Sequence, residues 1–110
     1  PVKGSPEASL RDGLALISAG RFDAWIERYC HRDKLCVTKQ ATKSLKAFNL
    51  KAAKKLVPDC LRGDKNEKII VTRRREAGGA LTLFLACNPR GMPRPFTLTK
   101  VGAAWKFLKI

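Results

Sequence analysis

Apolar residues along this chain recur with two different periods, and the change falls near residue 68. Up to that point they return every three or four positions, the spacing of one face of an α-helix. Leu10, Leu14 and Ile17 make the first such face. Ser5 is placed to cap this helix, Pro6 fits its first position and Glu7 suits the positive end of the helix dipole. Gly20 stops it. Phe22, Trp25, Ile26 and Tyr29 repeat the spacing with an aromatic face, which predicts core rather than a base-stacking surface. Thr38 caps a third helix, in which Ala41, Leu45, Phe48, Ala52 and Leu56 fall within a sector of about 80° and are expected to face the core. Asn49 offers a break into two shorter helices, and Pro58 is expected to end the segment.

From Lys68 the period becomes two. KIIVTRRR (68–75), LTLFLAC (81–87), PFTLTK (95–100) and WKFLKI (105–110) read as four strands, joined by EAGGA, NPRGMPR and VGAA. Links this short and bearing Gly or Pro predict an antiparallel meander of hairpins. LTLFLAC is apolar on both faces, which suits a central strand or one covered by a partner. Pro93 and Pro95 confine their segment to a bend or an edge. Helices first and strands afterwards define an α+β fold. With 110 residues the chain is long enough for one core. Residues 1–6, with their Pro and Gly, are expected to form a flexible N-terminal segment ahead of a single domain over 7–110.

Charge changes the picture most. The chain carries 23 Lys and Arg against 9 Asp and Glu, a formal net charge of +14. Residues 1–55 hold 12 basic and 5 acidic side chains and residues 56–110 hold 11 and 4, so each half nets +7. A basic tail on a neutral body is therefore excluded, and the folded body itself attracts polyanions. Lys39, Lys43, Lys46, Lys51, Lys54 and Lys55 are the densest basic run, with Lys39, Lys43, Lys46 and Lys54 opposite the expected apolar face. Arg73, Arg74 and Arg75 form a second patch, where strand alternation sends Arg74 to the face opposite the other two. Both patches also read as solvated surface. No run of 18 apolar residues exists to span a membrane.

The order of elements carries a resemblance. LRDGLALISAGRFDAWIERYC resembles the opening helix, glycine and second helix of the nuclear transport factor 2-like family, ATKSLKAFNLKAAKKL its next helices, and FTLTKVGAAWKFLKI its last hairpin. The chain thus looks like a small domain of the kind recurring in exported and lipid-anchored bacterial proteins. The resemblance implies a curved antiparallel sheet of about four strands wrapped against the N-terminal helices as a cone, and in many relatives a sheet-face homodimer. Enzymes on that fold line the cone with carboxylates, His or Tyr. Here the four expected strands hold none, with Glu76 assigned to a turn, so no catalytic residue is named and an enzyme is not expected. Phe84, Phe96, Trp105 and Phe107 are expected to fill the cone.

YCHRDKLC (29–36) concentrates the remaining chemistry, with two of the four cysteines and the single histidine. Zinc favours C-x₂₋₄-C pairs, whereas Cys30, Cys36, Cys60 and Cys87 leave gaps of five, twenty-three and twenty-six residues. Redox catalysis wants C-x-x-C, which is absent. A Cys–His nucleophile has no further support in the chain. No metal or cofactor is therefore expected. An even cysteine count in a small domain favours disulfides in an oxidising compartment. Of three connectivities, Cys30 with Cys36 and Cys60 with Cys87 is preferred, and buried reduced thiols are the rival reading. The functional expectation is a non-enzymatic basic module that docks an anionic protein or envelope polymer, in a periplasmic, secreted or lipid-anchored setting. The alternatives are nucleic-acid binding in the cytoplasm and a small-ligand or catalytic cone.

Overall fold

A computed structural model describes residues 4–61, 69–87 and 91–110. Lys68, where the first strand was expected to begin, lies outside the described residues, as do residues 1–3 and part of the NPRGMPR link (88–90).

Helix α1 (Pro6–Ser18) starts as its sequence dictates. Ser5 accepts a hydrogen bond from the Ala8 N–H and Pro6 is the first helical residue. The helix therefore takes in Pro6, counted above with the N-terminal segment. Its end is a Schellman motif. The Arg21 N–H reaches the Leu16 carbonyl and the Gly20 N–H the Ile17 carbonyl, with Gly20 at φ 76°. Helix α2 (Phe22–Tyr29) follows at once, with Trp25 and Ile26 buried and Phe22 and Tyr29 packed against the core.

The third helical rod holds the main departure from the sequence pattern. It comprises α3 (Lys39–Ser44), a π-helical turn (Leu45–Asn49) and α4 (Leu50–Leu61). In the π turn the Leu50 N–H bonds to the Leu45 carbonyl, five residues back. One extra residue is thereby absorbed and the apolar face is re-phased. Leu45, Leu50, Ala53, Val57 and Cys60 are buried, whereas Phe48 is 71% exposed and Leu56 43%. The expectation that Phe48, Ala52 and Leu56 face the core is overturned. Pro58 does not end the helix either, because the turn after it carries Cys60, buried and bonded to Cys87.

The sheet is a meander of four antiparallel strands in the order β1 (Val71–Ala77), β2 (Ala80–Leu85), β3 (Arg94–Val101) and β4 (Ala104–Lys109). Gly78 and Gly79 have φ of 58° and 79°. That pair forms a two-residue turn matched to strand twist, so β1 runs on to Ala77. Glu76, expected in a turn, is therefore a strand residue opposite Leu81. Pro95 is tolerated in a central strand because β4 pairs with β3 only from Thr97 onward.

Helices cover one face of the sheet. Leu81, Leu83 and Leu85 of β2, Phe96 and Leu98 of β3 and Phe107 of β4 are buried there, with Leu10, Leu14 and Ile17 of α1 wholly inaccessible in the same core. Trp25 and Tyr29 meet the Phe107 ring edge-on, with centroids 5.3 and 6.2 Å away. Three of the four aromatics expected to fill the interior therefore pack against it, Trp105 only half-buried. Phe84 does not: it pairs with Pro95 on the opposite face, half-buried beneath the Arg73 guanidinium at 5.5 Å. β2 lies between β1 and β3, the central position that the apolar doubling of LTLFLAC suits, and the Arg73 guanidinium covers part of Phe84 on the open face.

Candidate functional site

All four sulfurs are consumed in disulfides, Cys30 with Cys36 and Cys60 with Cys87. The first closes the CHRDKLC loop, and His31 organises its interior. The buried imidazole accepts hydrogen bonds at Nδ1 from the backbone N–H groups of Asp33 (3.2 Å) and Lys34 (3.1 Å). The His31 carbonyl accepts from the N–H groups of Leu35 and Cys36, and its own N–H donates to the Phe107 carbonyl. Cys30 forms a parallel bridge with Phe107, so the loop is pinned along the free edge of β4. The Cys30 sulfur beside the histidine is bonded to Cys36, so the structure holds no free thiol at Cys30 for His31 to activate.

The pinned loop turns Arg32 toward the first turns of α3. There a depression of about 470 Å³ is bounded by Arg32, Lys39 and Lys43, with Thr38, Thr42 and the apolar Ile26, Cys36 and Val37 completing its lining. Thr38 caps α3 by accepting from the Ala41 N–H, and the Thr42 hydroxyl donates to the Thr38 carbonyl, so both hydroxyls hold the helix start in shape. Three cations and no carboxylate line this hollow. Its chemistry suits an anion carrying some apolar surface. Sequence reading named Lys39 and Lys43 but omitted Arg32; the signal available was the ring closed by the two cysteines around it.

The other named lysines separate from this pair. Lys46 is in an ion pair with Asp23 of α2. Lys54 lies across Gly20, near the carbonyl end of α1, where a cation is favoured by the helix dipole. Lys51 and Lys55 are exposed farther along the rod. The arginine run alternates as its period demands: Arg73 and Arg75 take the open face opposite Phe84 and Thr82, and Arg74 the helix side in an ion pair with Glu7. β1 and β4 are the two edges of the sheet, so the arginines and the CHRDKLC loop lie at opposite sides.

Burial pushes the Tyr29 hydroxyl above the ordinary value of 10.0, and the Asp12 carboxylate adds to the rise. Among the described residues no three His, Cys, Asp or Glu side chains gather as a metal set, and no helix is long and apolar enough to cross a membrane. Two disulfides are compatible with an oxidising, extracellular location. No family model, curated protein or solved structure matches the chain.

Proposed function

We propose that this protein is a non-enzymatic, strongly basic interaction module that docks an anionic partner, an acidic protein or envelope polymer, in an oxidising compartment outside the cytoplasm. The observation that carries the reading is the depression bounded by Arg32, Lys39 and Lys43 without a carboxylate in its lining. The net charge of +14 supports it, since a field of that sign gathers polyanions before any close contact forms. The nuclear transport factor 2-like assignment is part of the same proposal, supported by helices packed on one face of a four-stranded antiparallel meander. A homodimer through the open sheet face is the weaker partner reading, because it would oppose Arg73 and Arg75 to their own copies.

Titration calorimetry with poly-glutamate and with a sulfated polysaccharide tests the reading. Binding is expected to weaken steeply with salt, and the Arg32→Glu, Lys39→Glu, Lys43→Glu variant is expected to lose at least about tenfold in affinity. Wild-type affinity in that variant would move the site elsewhere. An oligonucleotide bound far more tightly than either polyanion would favour the nucleic-acid alternative. Intact mass after alkylation of protein from its native host addresses the compartment. Four thiols blocked until reductant is added are expected, and four free thiols would return the chain to the cytoplasm.

A further inference from the structure

The π turn leaves the helical rod with two apolar stripes, of which the fold uses one. Leu45, Leu50, Ala53, Val57 and Cys60 are buried against the core. Phe48, Ala52 and Leu56, spaced four residues apart, lie one above the other on the outside. A phenylalanine 71% exposed one turn from Ala52, and a leucine 43% exposed a turn beyond that, make a contiguous apolar surface rather than scattered exposure. Beside it, Ala52 and Leu56 share a concavity of about 150 Å³ with Val57, Phe96, Ile110 and Arg94. That space suits one large apolar side chain. Lys51 and Lys55 are interleaved with the stripe, and from Leu45 to Val57 the sequence holds no acidic residue.

From this we infer that the Phe48, Ala52 and Leu56 face is a second docking surface, which receives an acidic amphipathic segment of another protein. One apolar side chain of that segment enters the concavity, and its carboxylates meet Lys51, Lys55 and Arg94. Charge complementarity selects the acidic partner, since Lys51, Lys55 and Arg94 stand beside the stripe and the nearest carboxylate on the rod, Asp59, lies one turn beyond Leu56. Concavity selects a protein segment over a lipid surface, because a groove accepts a protruding side chain whereas a bilayer presents none. The surface is separate from the depression at Arg32, so either can fail without the other.

The test uses fluorescence anisotropy with synthetic glutamate-rich helical peptides carrying one central leucine or phenylalanine, and with the same peptides bearing alanine there. The whole chain is expected to prefer the anchored peptide by at least about tenfold. Lys51→Glu with Lys55→Glu is expected to remove that binding, and Phe48→Ser to weaken it severalfold, while Arg32→Glu with Lys39→Glu leaves it unchanged. Phe48 is largely exposed, so its variant tests the surface without threatening the fold. Equal affinity for anchored and alanine peptides, or indifference to the two charge reversals, would overturn the proposal. So would sedimentation with phosphatidylglycerol vesicles that depends on Phe48 while no peptide binds.

Discussion

The edge of the Phe107 ring lies against the α-carbon of Gly13, in the middle of α1. A β-carbon built on Gly13 would stand 2.7 Å from Phe107 Cε1 and 3.4 Å from Trp25 Nε1. Glycine inside a helix ordinarily costs about 0.5–1 kcal/mol relative to alanine. Gly13→Ala is nonetheless expected to destabilise, because overpacking a filled core costs about 1–3 kcal/mol. Thermal melts of the two proteins decide the sign. A variant more stable than wild type would mean that the ring yields easily.

His31 is expected to matter for the loop rather than for chemistry. Replacing it with alanine removes the acceptor for the Asp33 and Lys34 N–H groups, a loss of about 1–3 kcal/mol for part-buried donors left unpaired. Amide exchange at those two residues should accelerate, while the pattern in β1 and β2 holds. Unchanged protection at both would show that the disulfide alone shapes the loop.

Removing one residue from the π turn offers an unusual check. Deletion of Asn49 would let the Leu45 carbonyl pair four residues ahead and leave Leu45 and the Leu50, Ala53, Val57, Cys60 stripe on one face. That variant is expected to fold cooperatively with both disulfides intact. Deleting Lys55 instead would swing Val57 and Cys60 about 100° off the face, and mispaired cysteines are expected. Intact mass and denaturant unfolding of the pair separate the outcomes.

Tyr29 predicts an alkaline sensitivity. Burial and the Asp12 carboxylate raise its hydroxyl pKa above 10.0, so the fold favours the neutral phenol. The stabilisation tied to that proton is fully present below pH 10 and is lost as pH rises through the folded value. Urea midpoints above pH 10 should therefore fall faster for wild type than for Tyr29→Phe, which keeps the ring against Phe107. Parallel curves would assign the fall to other groups.

Where one local signal had no competitor, the sequence was sufficient. Ser5, Pro6, the Leu10, Leu14 and Ile17 face and the Gly20 stop each act within a turn or two, and α1 follows them. The four strands were legible because their period and short links agree, though the Gly78 and Gly79 turn lengthened β1 to include Glu76. Residues 41–60 were harder, since they encode two apolar stripes and the choice rests on contacts with α1 and on the Cys60 to Cys87 bond. A projection at constant period has no means of placing an extra residue, and it followed the stripe that ends up outside. The depression was half legible: lysine spacing marks Lys39 and Lys43, but Arg32 joins them only through the closed loop.

The contact between Gly13 and Phe107 also sets a clock. Helix α1 packs on a ring of β4 through Gly13, so that part of its buried face waits for the fourth strand of the meander. Non-local closure of this kind slows folding. Meanwhile Cys30 and Cys36 meet within a few residues, whereas Cys60 must find Cys87 across the helix-to-sheet connection. Oxidation should proceed in that order, the short ring first and the long one as the sheet docks on the helices.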